Sequence, residues 1–166
     1  MILGMSLATF TVVHTVLSLI GIVTGLVVLL GMLGGRKLDS WTAIFLATTV
    51  LTSVTGFFFP FAKLLPSHIV GIILLVILAI ALVALYGIHL AGAWRWIYVA
   101  GAVLALYLNV FVGVVQAFQK LAFLQPFAPT QSEPPFIVAQ VVVLAIFVVL
   151  GFLALKRFHP EMPAAA

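Results

Sequence analysis

No cysteine occurs among the 166 residues of this chain. Disulfides, thiolate ligands and redox thiols are therefore excluded, while the compartment stays open. Charge is nearly as scarce. Lys and Arg number 7, Asp and Glu 3, together 6% of the chain. A soluble domain carries about 25% charged residues, so a water-soluble fold of this sequence would have nothing to cover its surface. The signatures of common catalytic chemistries are missing as well. There is no HExxH, no paired acidic motif, no glycine-rich phosphate loop and no GxSxG. Acidic residues are absent from every long apolar run, which leaves a proton-conducting path without its usual carboxylates. The opening "MILGMSLATF" has no basic n-region, and the apolar run behind it is too long for a cleaved signal. Met5 is a second candidate start.

What the chain does have is apolar length. Apolar types make up 66% of it. In a bilayer only helices and closed barrels satisfy the backbone, and barrel strands would alternate with period two over about ten residues. The runs here are longer and unbroken. The expectation is an all-α polytopic bundle forming one transmembrane domain over residues 1–166. A span needs about 20 apolar residues. Five segments qualify, at about 7–33, 41–60, 66–90, 94–119 and 136–155, with a proline-rich outer link at 120–135. Residues 41–90 as one helix would reach about 75 Å, more than twice the hydrocarbon thickness. They must be two, and Pro60 and Pro66 bracket the turn between them.

All ten charged residues lie outside these spans or at their ends. The formal charge of +4 therefore reads as topology rather than as a nucleic-acid footprint. Five spans put Arg36, Lys37, Arg95, Lys156 and Arg157 on one side, with only Lys63 and Lys120 on the other. The positive-inside rule then predicts an external N-terminus and a cytoplasmic C-terminus. Aromatic belts agree. Trp41, Trp94, Trp96 and Tyr98 fall on the basic side, and Phe57, Phe58, Phe59 and Phe61 on the other.

Three spans carry a stripe of polar or small residues at helical spacing. The first holds His14, Ser18, Gly21 and Gly25, the second Thr49, Thr52, Ser53 and Gly56, and the fourth Asn109, Gly113, Gln116 and Lys120. The fifth offers Gln140. Close packing explains such stripes without any ligand, and "GIVTG" at 21–25 is a GxxxG match of that kind. Ionisable and amide groups weigh more, because they are costly in lipid and usually face an interior or a wet cavity. His14 lies about 10 Å below the outer surface, two turns in. If His14, Ser18, Ser53, His68, Asn109, Gln116 and Gln140 converge, they line a polar pocket open to the outside.

"LLPSHIVGII" at 64–73 is expected to begin the third helix, with Pro66 in its first turn and His68 beside it. His68 is either a turn marker or part of the pocket mouth. Glu133 in "TQSEPPF" precedes the fifth span with Ser132 as the expected N-cap. It stabilises that helix start, or it folds over the mouth as a lid residue and latches to His68. His14, His68 and Glu133 also have ligand types acceptable to Zn or Cu. Haem would need two histidines at matching depth. His14 and His68 differ in depth, and His89 is on the opposite side.

The segments "LPSHIVGI", "WRWIYV", "LYLNVFVGVVQAF" and "PTQSEPPF" resemble those of a family of small bacterial membrane proteins without an assigned activity. The resemblance covers most of residues 10–158 and implies an inner-membrane location. A histidine in the first span and "TGF" late in the second give a looser likeness to cytochrome b561-type bundles, which implies haem. The leading expectation is a non-enzymatic bundle whose outward-facing pocket binds or passes a small molecule. The alternatives are a redox membrane protein holding haem or quinone, and an accessory subunit whose stripes bind partner helices. The expected partners are the lipid bilayer, a small-molecule ligand and a second copy or another membrane subunit, with no nucleic acid.

Overall fold

A computed structural model of the chain describes residues 1–60 and 66–160. The regular structure among them is helical: α1 (Leu7–Leu33), α2 (Asp39–Gly56), α3 (Pro66–Leu82), α4 (Trp94–Lys120) and α5 (Pro134–Arg157). A π-helical turn, Val83–Gly87, extends α3, and a 3₁₀ turn, Gln125–Phe127, interrupts the link before α5. Among the described residues, four helices are long and apolar enough to cross a membrane: α1, α3 with its π turn, α4 and α5. Their outward residues are apolar, as in Val12, Val16 and Val23 of α1 or Ile69, Ile73 and Val76 of α3.

Local sequence sets the ends. Ser6 Oγ accepts from the Thr9 N–H at 3.1 Å and caps α1. Gly34 and Gly35 stop it: the Arg36 N–H returns to the Gly31 carbonyl at 2.8 Å, and Gly35 takes the left-handed conformation this requires (φ 69°). α2 begins at Asp39, two residues before the expected Trp41, because an acidic residue suits a helix N-terminus. It ends at Gly56 rather than running to Pro60. The turn at 61–65, with Phe61 and Lys63, lies outside the described residues, as does the tail from 161. The α-helical part of the third span stops at Leu82, well short of Leu90. Left-handed His89, Leu90 and Gly92 then reverse the chain.

α5 corrects two expectations. It starts at Pro134, not Phe136, because proline fits the first helical turn, where no N–H is needed. Its N-cap position is Glu133, not Ser132, and the Glu133 side chain makes no capping bond to the helix.

The bundle is solid at one end. Phe45, Leu46, Leu78, Tyr98, Leu106 and Phe158 are almost wholly buried where α1 and α3 end and α2 and α4 begin. Ala81, Ala84, Ala102 and Ala105 are buried there, and Ala81 Cβ lies 3.5 Å from a Cβ built on Gly101, so α3 and α4 approach closely. Arg95 ties α4 to the end of α5. Its Nη1 donates to the Phe158 carbonyl at 2.6 Å and to the Leu155 carbonyl at 3.3 Å. The GxxxG face of α1 meets α2 and α4 together. A Cβ on Gly25 would lie 2.6 Å from Leu106 Cδ1 and 2.8 Å from Phe45 Cε2, and one on Gly21 would lie 3.1 Å from Asn109 Nδ2. These two glycines serve packing.

Candidate functional site

The other end of the bundle is hollow. α1 to α4 surround a pocket of about 400 Å³, which fills the half where α1 and α3 begin and α2 and α4 end. Of the eight residues singled out from the sequence, six line it: His14, Ser18, Ser53, His68, Asn109 and Gln116. Glu133 and Gln140 do not. The helix that carries Gln140 supplies none of the lining.

His14 is held by α2. Its Nδ1 lies 2.8 Å from Thr55 Oγ1, and its ring meets Phe59 edge-on at 5.1 Å. The direction of the bond to Thr55 depends on the histidine tautomer. A hydroxyl has one hydrogen, and Thr55 Oγ1 also lies 2.7 Å from the Leu51 carbonyl of its own helix. With that hydrogen on Leu51, Thr55 accepts from His14 Nδ1, and the neutral ring presents Nε2 as an acceptor.

The same counting separates Thr52 from its neighbours. Thr48, Thr49, Ser53 and Thr55 all return their hydroxyls to carbonyls one turn back, between 2.7 and 2.9 Å away. Thr52 does not. Its hydroxyl is buried in the pocket wall with no hydrogen-bond partner. Asn109, only 4% exposed, lies deep in the pocket. Its Oδ1 receives a long bond from Ser18 at 3.4 Å, and its Nδ2, over Gly21, has no partner. Buried polar atoms are nearly always paired. Of the three exceptions among the described residues, two, Thr52 Oγ1 and Asn109 Nδ2, lie in the pocket, where a ligand or water would supply the bonds, and the third, Gln140 Oε1, lies outside it.

His68 sits in the first turn of α3, 5% exposed, with its ring 5.6 Å from Phe57. It is part of the pocket wall, a role beyond marking a turn. Among the described residues the ionisable groups of the lining are His14, His68 and Lys120, and none of them is a carboxylate. Glu133 is engaged elsewhere. Its carboxylate accepts from Thr130 N at 3.1 Å, Thr130 Oγ1 at 2.8 Å and Ser132 N at 3.0 Å. Slight desolvation would raise its pKa, but those hydrogen bonds outweigh it and hold the carboxyl below its usual range. It enters no ion pair among the described residues, and it is not a lid on the pocket. Nor do His14, His68 and Glu133 form a metal site: no group of three such side chains comes together among the described residues. Gln140 instead links α5 to α4, with Nε2 donating to the Phe111 carbonyl at 3.2 Å.

Several wall residues went unread in the sequence. Thr11 and Thr15 continue the His14 face at helical spacing, and Phe57 and Phe59 supply aromatic wall. Thr52 stands in the α2 stripe, but its free hydroxyl is visible only in three dimensions. The chain matches no protein-family model, no curated protein and no solved structure.

His14→Ala should lower stability by about 1 kcal/mol, the scale of hydrogen bonds between membrane helices. Unfolding in mild detergent measures this. An unchanged midpoint would show that the Thr55 bond contributes nothing to the fold.

Proposed function

We propose that this chain is a non-enzymatic five-span protein of a bacterial inner membrane, and that its pocket receives a small molecule from the outer side. The observation that carries the reading is the pairing of unoccupied groups on one wall, His14 Nε2 and Thr52 Oγ1, in a space of about 400 Å³. Ligand sites typically run from roughly 300 to 1,000 Å³ and combine apolar walls with a few placed polar groups.

The fifth crossing is α2. Its threonines make it the least apolar helix, yet most of their hydroxyls are already bonded to their own backbone. Its 18 residues reach about 27 Å, close to the hydrocarbon thickness of about 30 Å. α1 packs along one side and α3 along another, so its polar face meets protein. With α2 crossing, the five basic residues Arg36, Lys37, Arg95, Lys156 and Arg157 share one side. That side is the cytoplasm by the positive-inside rule, and the pocket end faces out.

The absence of cysteine makes the test direct. Single variants Ser18→Cys and Thr130→Cys should react with a membrane-impermeant maleimide added outside intact cells. Lys156→Cys should react only after permeabilisation. Thr130→Cys and Lys156→Cys labelling from the same side would overturn the five-span topology. Silence of Ser18→Cys beside a labelled Thr130→Cys would overturn the open pocket.

One observation favours a second reading. His14 and His68 line the same pocket, although the sequence puts them at different depths. Haem between them would give the purified protein a Soret band that is lost in His14→Ala. A colourless protein after expression with haem supplied removes that reading.

A further inference from the structure

Two observations narrow what the pocket takes, given that it is a ligand site as proposed above. The first is the route of entry. Thr15 and Leu19 of α1 and Gln116 of α4 line the pocket and are also exposed, Leu19 by 55%. The flank between α1 and α4 is therefore open at this level. It closes further in, where a Cβ on Gly113 would lie 3.5 Å from Ile22 Cδ1. In a membrane-spanning bundle this flank, beside α5 which packs on both helices, gives a hydrocarbon tail a lateral way out, while the mouth at the outer end stays open to water.

The second observation is the chemistry of the wall. His14 Nε2 is an acceptor without a proton, and the Thr52 hydroxyl is a donor without an acceptor. Both belong to one patch. The His14 Cε1 atom lies 3.7 Å from a Cβ built on Gly56, one turn along α2 from Thr52. A ligand hydroxyl has the chemistry that complements both groups, a hydrogen to donate to Nε2 and lone pairs to accept from Thr52. Phe57 and Phe59 supply aromatic surface for a ring. Among the described residues no carboxylate lines the space, so a cation finds no counter-charge, and an ionised head at this depth would carry a heavy desolvation cost.

We infer that the ligand is a lipid-borne neutral phenol of the quinol type. Its ring hydroxyl bridges His14 Nε2 and Thr52 Oγ1, its ring lies against Phe57 and Phe59, and its hydrocarbon tail leaves between α1 and α4. The inference concerns binding only, and no bond is made or broken.

The test uses Ser18→Cys protein in lipid nanodiscs, with the rate of maleimide labelling as the readout. Decylubiquinol should slow labelling at least tenfold at saturation. Its dimethyl ether cannot donate to His14 and should require about ten times the concentration for the same protection, the scale of one hydrogen bond. Thr52→Val in the same background is nearly isosteric and should raise the half-protecting concentration of the quinol about tenfold. Leu19→Trp should slow protection by the quinol by narrowing the flank. Labelling that the quinol does not slow overturns this inference and leaves the pocket standing. Equal protection by quinol and ether overturns the hydroxyl bridge, a comparison that needs no variant of the wall. Equal protection by a straight-chain alcohol overturns the aromatic head. If Ser18→Cys does not label at all while Thr130→Cys does, the pocket reading itself has failed.

Discussion

Gly25→Val should lower the unfolding free energy by about 3 kcal/mol, the upper range for forcing extra carbon into a packed interior. The cost comes from two directions at once. The first added carbon already lies 2.6 Å from Leu106 and 2.8 Å from Phe45, well inside van der Waals contact. Both neighbours are 1% exposed, so neither has free space to rotate into. Gly25→Ala should cost less, because alanine recovers up to about 1 kcal/mol of helix propensity. Gly113→Ala is the matched control. Its Cβ would make ordinary contact at 3.5 Å with Ile22, so propensity dominates and the change should be neutral or stabilising. Denaturant titration in detergent, followed by circular dichroism, ranks the three. Gly25→Val as stable as wild type would mean that α1 does not pack against α2 and α4 along this face.

Arg95→Leu should destabilise by about 2 kcal/mol, within the range for hydrogen bonds made by a charged group. The guanidinium bonds two carbonyls at the C-terminal end of α5, at 2.6 and 3.3 Å. Those carbonyls have no partner within the helix, and a cation there is favoured by the helix dipole. The same bonds hold Phe158 against Tyr98, their ring centres 6.0 Å apart. In the proposed topology Arg95 is also one of the basic residues that set orientation, so the two roles must be separated. Arg95→Lys keeps the charge but lacks the planar guanidinium whose Nη1 bonds both carbonyls. It should lose part of the stability and leave the labelling pattern of Thr130→Cys and Lys156→Cys unchanged. Limited proteolysis near residue 157 reports on α5 directly. Equal stability of Arg95→Leu and wild type would show that this tie does not hold α5 in place.

Composition and local pattern determined a good deal. So few charges on so long an apolar chain point to a bundle of helices apolar enough to cross a membrane, because hydrocarbon admits only helices and closed barrels and the apolar runs are too long and unbroken for barrel strands. Helix ends followed from short-range chemistry: Ser6 caps α1 and the glycine pair stops it. Where an end differs from expectation, as at Pro134, the deciding feature is also local, a proline that fits the first helical turn. The stripe residues were visible because an ionisable or amide side chain in an apolar helix is conspicuous.

Which stripes meet was not visible, since it depends on how each helix is rotated against its neighbours. Spacing puts Gly21 and Gly25 on the same stripe as His14, yet packing gives Gly25 to Phe45 and Leu106, Gly21 to Asn109 and Thr49, and the histidine to the pocket. Gln140 and Glu133 looked equivalent to the other candidates. α5 lies outside the ring of four helices, so Gln140 bonds α4, and Glu133 folds onto its own turn. Thr52 shows the limit most clearly. It is one of several hydroxyls in α2, and a list of residue types cannot say which of them returns its hydrogen to its own helix. Only the side-chain geometry leaves Thr52 without a partner and His14 with its acceptor nitrogen free, because a hydroxyl has a single hydrogen to give.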